Sequence, residues 1–214
     1  MRRLYHFATS PYSRRARLAL AHKGLDVTLI DARADPTKLD EARTQTPLKT
    51  MPLLVEADGR ALGDSGAIAH YLERAHPQAP ALFPSAPDDA FAVFEAMALV
   101  DAALQSIVDV GNRYYPLHGA PGFAAIEDEM RERIQRALDG LASRATRPTL
   151  ACAGWSAGDI WLFTLVDWLG GLPGRAKDNA VVAQLLTIGW RLPAALSSWA
   201  EQHRARPDVR ALET

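Results

Sequence analysis

The sequence predicts an α/β domain of order βαβαββα over residues 1–80, followed by an all-helical domain over residues 88–214. Three observations predict it. Short strand-like and helix-like segments alternate through the first part of the chain. Four prolines, Pro77, Pro80, Pro84 and Pro87, then crowd one stretch, and proline breaks helices and stiffens a connection. Beyond Asp88 apolar residues recur at helical spacing and no segment reads as a strand.

In chain order, Arg3 to Phe7 reads as a strand and Ser13 to Lys23 as a helix, with Gly24 just past its end. Asp26 to Asp31 is a second strand and Lys38 to Thr44 a short helix. Leu53 to Ala57 is a strand, Asp58-Gly59 a hairpin turn signal, and Ala61-Leu62 a short strand pairing back. Ser65 to Arg74 is a helix with Ile68, Tyr71 and Leu72 on one side. A strand, a helix, a parallel strand, then a hairpin and a helix make a thioredoxin-like arrangement.

In the second part, Val93, Met97, Val100, Leu104 and Ile107 mark one face of a helix. Ile126, Met130, Ile134, Leu138 and Leu141 mark another. Ala157 to Leu169 is apolar almost all round, which predicts a helix at the domain centre. Shorter helices are expected over about Asn179–Gly189 and Ala194–Arg204.

Composition narrows the function. The formal net charge is −1. Residues 1–80 carry 12 Lys and Arg against 9 Asp and Glu. That mildly basic balance suits a small anionic ligand, not a nucleic acid, which calls for a dense basic stripe. The single cysteine, Cys152, excludes a disulfide within the chain and a Cys-only zinc site. A small buried hydrophobe is its expected role. The six histidines lack ligand spacing, so no metal is expected. The N-terminus lacks the apolar stretch of a signal peptide, and the apolar run from Asn179 to Trp190 is too short to span a bilayer. A cytoplasmic protein with no membrane partner is the expectation.

The most informative stretch runs Thr9-Ser10-Pro11-Tyr12-Ser13-Arg14-Arg15-Ala16-Arg17-Leu18. It sets a hydroxyl just before a helix N-terminus, where unpaired N–H groups and the helix dipole favour negative charge. A thiolate held there is stabilised. An N-cap with no other task reads the same residue equally well. Two further stretches carry chemistry. Thr50-Met51-Pro52-Leu53-Leu54 sets an X-Pro bond before a strand, the one context in which a cis peptide is cheap; a strand-initiating proline is the plainer reading. Gly63-Asp64-Ser65-Gly66 opens a helix, either as an ordinary capping pair or as an anion site.

Taken in this order and spacing, the three stretches resemble the glutathione transferases. Ser-Pro-Tyr-x-x-Arg-x-Arg-x-x-Leu is similar to the first-helix motif of the tau and omega classes. The zeta pattern, aligned on Arg15 and Arg17, also sets its serine at Ser10. The resemblance implies that Ser10 activates the thiol of glutathione, with Ser13 as the rival. It implies a cis Met51–Pro52 bond, with the Met51 backbone pairing with the cysteinyl main chain. Ser65 would bind the γ-glutamyl carboxylate and Asp64 the ammonium, while Lys49 faces the glycine carboxylate or solvent. Thr46 departs from the family's usual Asn, and Asp64 is one methylene shorter than Glu. Trp155-Ser156-Ala157-Gly158-Asp159-Ile160 resembles the family's capping box on its central helix. Tyr12, Tyr114 and Tyr115 are candidates for contacting the electrophile, and Asp167 is expected to be paired or at a domain boundary.

The expected activity is attack of glutathione sulfur on a small electrophile, in a homodimer. Two other readings stand beside it. One is a glutathione-dependent isomerase of the zeta kind, although Ser10-Pro11-Tyr12 occupies the place of its Ser-Ser-Cys. The other is a non-catalytic binding or regulatory member. A thiol-disulfide oxidoreductase is disfavoured, since no cysteine stands at the helix start.

Overall fold

The computed structural model describes residues 1–151 and 154–212. The contacts divide the chain into two compact units, Met1–Pro84 with Arg204–Thr214, and Ser85–His203.

The first unit holds strands β1 (Arg3–His6), β2 (Thr28–Asp31), β3 (Leu53–Val55) and β4 (Ala61–Gly63), with helices α1 (Pro11–His22), α2 (Pro36–Thr44) and α3 (Ser65–Ala75). The sheet order is β2-β1-β3-β4. β1 and β2 are parallel, while β1–β3 and β3–β4 are antiparallel. This is the βαβαββα order that the sequence predicts. Alternation along the strands splits the core in two. Tyr5, Leu53 and Val55 join Ala32, Ala42 and Met51 in one cluster, closed by Phe7, Ile30 and Leu39. Leu4 and Leu54 are buried on the opposite face, where α1 and α3 pack together.

Several boundaries move for local reasons. The first helix starts at Pro11, two residues before the predicted Ser13, because proline at the first helical position lacks only an N–H that has no partner there anyway. Pro36 moves the start of α2 in the same way, behind an Asp35 cap. The strand predicted to reach Phe7 ends at His6, and Phe7 enters the loop before α1. The strand predicted to reach Ala57 ends at Val55, because Glu56 to Arg60 form the turn, with Glu56 N–H donating to Arg60 O at 2.9 Å.

Gly24 closes α1 as expected. At φ +63° it occupies a region that a side chain disfavours. Gly24 N–H donates to Ala21 O and Leu25 N–H to Leu20 O, each at 3.0 Å, the paired bonds of a Schellman end. The buried Lys23 ammonium then reaches Glu73 at 2.8 Å and the His76 carbonyl at 3.1 Å, tying α1 to the end of α3.

The second unit opens with α4 (Pro87–Asp109), which continues through a π-helical turn, Val110–Tyr114, and a 3₁₀ turn, Tyr115–Leu117. Then come α5 (Phe123–Ala142), α6 (Ala157–Gly170), α7 (Leu172–Arg175), α8 (Ala180–Thr187) and α9 (Ala194–His203). The predicted face of α4, from Val93 to Ile107, is buried. Pro87–Leu117 is also long and apolar enough, by length and composition, to cross a membrane, the one such helix among the described residues. The sequence reading weighed Asn179–Trp190 instead. Acidic Asp88, Asp89, Glu95, Asp101 and Asp109 stud α4, which fits a helix with one buried side.

α6 is buried on nearly every side and packs between α4 and α9. Its start is the predicted capping box. Ser156 donates to Asp159 Oδ2 from its N–H at 2.9 Å and from its hydroxyl at 2.6 Å, and Leu150 N–H donates to Oδ1 at 2.8 Å. Asp167, expected to be paired or at a domain boundary, acts electrostatically on Arg175, whose guanidinium also donates to Trp168 O at 2.7 Å. A last short helix, α10 (Pro207–Arg210), escaped the sequence reading. It packs on α1 in the first unit, where Asp208 lies 3.6 Å from His22. The closing segment, assigned from sequence to the helical domain, thus clusters with the first unit.

Candidate active site

Register brings the predicted stretches to one end of the sheet. Tyr5 pairs with Leu53, and Leu53 pairs with Gly63. The C-terminal end of β1, the N-terminal end of β3 and the C-terminal end of β4 therefore lie side by side. Three segments emerge or enter there: the Phe7–Ser10 loop, the Lys49–Pro52 turn and the Asp64-Ser65 start of α3.

The first segment separates the two serines. Ser10 is the N-cap of α1, half-buried, and its Oγ accepts from Ser13 N–H at 3.3 Å. That bond uses an oxygen lone pair and leaves the hydroxyl hydrogen available to an acceptor. Ser13 is 0% exposed, and its Oγ accepts from Phe7 N–H at 3.1 Å. Ser13 thus closes the loop from beneath, while Ser10 stands half-buried at the helix start. Arg17, seven residues after Ser10 on the same helix face, donates from Nη2 to Ala8 O at 3.0 Å. Neither that bond nor the role of Ser13 was legible as such; the spacing of residues 10, 14 and 17 was the available signal.

Beneath the loop, His6 is buried at the end of β1, opposite Asp31. Burial pushes its imidazole below the ordinary value, and the Arg17 charge adds to this while Asp31 opposes it. Tyr12, half-buried in the first turn of α1, has the Arg15 guanidinium 5.2 Å from its ring centre.

The second segment carries the expected cis Met51–Pro52 bond. Met51 is buried in the Tyr5 cluster. Upstream, Thr46 is buried and its hydroxyl accepts from Leu48 N–H at 3.3 Å, so threonine supplies the turn's side-chain acceptor at the place of the family's usual Asn. Lys49 is exposed at φ +53°. It lines an open groove with Asp40, Arg43 and Thr46.

The third segment is a helix N-terminus. Asp64 is exposed and caps α3, its Oδ1 accepting from Ala67 N–H at 2.9 Å. It does so at φ +73°, a conformation that costs a residue with a side chain about 1 kcal/mol or more. Ser65, buried, is the first residue of the helix, where N–H groups lack intrahelical partners. Strain, an acid and a row of donors coincide at one point.

Tyr114 and Tyr115 belong to the second unit, Tyr114 ending the π-helical turn and Tyr115 opening the 3₁₀ turn, both half-buried. Cys152 lies outside the described residues.

Residues 4–80 match the model of the glutathione S-transferase N-terminal domain. Over 185 residues the chain is 33% identical to an uncharacterised GST-like protein of Escherichia coli K12, YibF, covering 83% of this chain and 88% of that one. The chain belongs to the glutathione S-transferase family. Other members are similar over shorter or weaker stretches. A probable maleylacetoacetate isomerase of Drosophila melanogaster is 36% identical over 112 residues, 50% of this chain and 45% of the fly protein. Among solved structures, the glutathione S-transferase of Methylobacterium radiotolerans in complex with glutathione sulfonate superposes with a TM-score of 0.76 at 24% identity, over 98% of this chain and 93% of that one. That of Methylobacillus flagellatus with glutathione bound superposes at 0.74 and 24%, over 99% and 98%. These likenesses match the thioredoxin-like fold of the first unit and the helical second unit.

Proposed function

We propose that the chain is a glutathione transferase that activates the thiol of glutathione for attack on a small electrophile. The carrying observation is the division between two serines. Ser13 Oγ is engaged by Phe7 N–H, whereas Ser10 Oγ, at the start of α1, accepts one N–H and keeps its own hydrogen. A hydroxyl so placed donates to a thiolate, and the helix start favours that negative charge. A lower sulfur pKa raises the ionised fraction at neutral pH, although intrinsic nucleophilicity falls somewhat.

The ligand itself is positioned by the other segments. Met51 offers its backbone to the cysteinyl main chain beside Pro52. Ser65 and the first N–H groups of α3 take the γ-glutamyl carboxylate, Asp64 takes the ammonium, and Lys49 takes the glycine carboxylate. The glutathione bound in the Methylobacillus flagellatus structure supports glutathione as the co-substrate. Such holding converts a bimolecular encounter into an oriented one. Tyr12, Tyr114 and Tyr115 are the candidates for contacting the electrophile. The proposed setting is a cytoplasmic homodimer engaged in detoxification.

A second reading, a glutathione-dependent isomerase, is favoured by the match to the fly protein. Against it stands Pro11-Tyr12 after Ser10. Calorimetric titration with glutathione tests the shared part of both readings, and no heat of binding would remove both. Turnover with an activated aryl halide separates them. A transferase consumes one thiol per product, and an isomerase returns its glutathione unchanged.

A further inference from the structure

Three backbone groups of the loop that carries Ser10 are tied. Phe7 N–H donates to Ser13 Oγ, Phe7 O accepts from Ser10 N–H at 3.1 Å, and Ala8 O accepts from Arg17 at 3.0 Å. Two of the three ties come from side chains on α1. That of Ser13 is neutral and buried; that of Arg17 carries a full positive charge to within two residues of Ser10.

The surroundings of Arg17 keep that charge only partly offset. Burial opposes its ionisation, Arg14 adds a like charge from the preceding turn of α1, and Asp31 at the end of β2 draws the other way. His6 on β1 faces the same cluster and is biased toward its neutral form by burial and by Arg17 itself. The Arg17 Nε, also buried, has no acceptor among the described residues. A guanidinium bonded to the Ala8 carbonyl sets its positive charge beside the loop, where water screens it only in part.

We propose that Arg17 is a positioning residue for the thiol: it pins the Ala8 carbonyl so that the loop presents the Ser10 hydroxyl, and its charge acts across that short loop on the sulfur. This rests on the reading of Ser10 given above. Pinning and charge are separable by substitution. Arg17→Gln keeps a donor for Ala8 O and removes the charge. Arg17→Lys keeps the charge on a single-point donor.

The experiment is an absorbance titration of bound glutathione, following the thiolate against pH, with a calorimetric glutathione Kd for each protein. In wild type the thiol pKa should lie below the free value. Arg17→Gln should raise it by about half a unit or more, with the glutathione Kd within about twofold of wild type. Arg17→Lys should stay nearer wild type than Arg17→Gln does. A role confined to folding would lower Tm without moving the thiol pKa in either variant, and that outcome overturns the inference. A wild-type thiol pKa equal to that of free glutathione overturns the Ser10 reading, and this inference with it.

Discussion

The backbone N–H of Ser13 donates to the side-chain oxygen of Ser10 at 3.3 Å, while the Ser13 hydroxyl is itself engaged by Phe7 N–H at 3.1 Å. Two serines three residues apart thus use their hydroxyls differently: that of Ser13 is engaged by the loop backbone, and that of Ser10 caps the helix. Ser10→Ala should cut glutathione conjugation at least about tenfold, roughly 1.4 kcal/mol in the transition state, with glutathione affinity nearly unchanged. Ser13→Ala should instead lower stability by about 0.5–1.5 kcal/mol, because the part-buried Phe7 N–H loses its acceptor. Paired kinetics and denaturant melts check this. Activity abolished by Ser13→Ala at full folding, with Ser10→Ala unaffected, reverses the two roles.

On the proposed assignment, Asp64 and Ser65 hold the γ-glutamyl end of glutathione. Losing a hydrogen bond to a charged group costs about 1.5–3 kcal/mol, so Ser65→Ala and Asp64→Ala should each weaken glutathione by roughly tenfold or more. Asp64→Gly adds a second arm. Glycine relieves the positive φ that Asp64 adopts, so this variant should be less destabilised than Asp64→Ala while binding glutathione equally poorly. Unchanged affinity in all three variants would refute the assignment of the γ-glutamyl end.

These segments show what a linear sequence makes legible. Ser10, Met51-Pro52 and Asp64-Ser65 could be read because each sits at an element boundary, where caps and prolines have few alternatives. Their side-by-side placement needed the register of three strands. The helical periodicity of α4 and α5 was visible for the same reason that their cores pack, namely that burial imposes the spacing. What escaped depends on tertiary partners: the docking of α10 against α1, the Ser13–Phe7 tie and the Arg17–Ala8 tie. The π-helical turn after α4 was hidden because nothing local in Val110–Tyr114 distinguishes it from a continuing helix.

Several large apolar side chains face solvent, among them Leu48 on the first unit at 57% exposure and Phe91 on the second at 70%. Such groups mark a surface that a partner covers where they join a contiguous patch. The chain is expected to form a homodimer, and Phe91→Asp should weaken it. Sedimentation equilibrium at micromolar concentration measures the mass. A wild-type value equal to one chain, 23.3 kDa, would exclude the dimer.

His6 predicts a pH dependence. Its folded pKa is lowered from 6.5, so the fold prefers the neutral imidazole. Its stabilisation is fully present above about pH 6.5 and is lost as pH falls through the lower folded value. His76, lowered in the same direction, adds to the trend. Denaturant midpoints should therefore decline between about pH 6.5 and 5, and His6→Gln should flatten part of that decline. Equal slopes for the two proteins would show that His6 does not titrate with unfolding.

The start of α6 gives the largest expected stability effects. Asp159 is 0% exposed and accepts two backbone N–H bonds and one hydroxyl bond. Burial raises its pKa, and the three bonds only partly offset this. Asp159→Ala strands the Leu150 and Ser156 donors in the interior, at about 1–3 kcal/mol for each buried group left unmade. Asp159→Asn keeps an acceptor oxygen and should lose less. One residue earlier, a Cβ on Gly158 would stand 3.2 Å from Val93 Cα and 3.3 Å from Val93 O. Those are backbone atoms of α4, which cannot rotate away as a side chain would. Gly158→Ala must push α6 off α4 by a few tenths of an ångström, costing about 1–3 kcal/mol by overpacking. Neither residue is assigned to the glutathione site. Both variants should therefore lower Tm while each folded molecule retains wild-type affinity for glutathione. A Gly158→Ala protein with unchanged Tm would mean that the two helices have room to spare at their crossing.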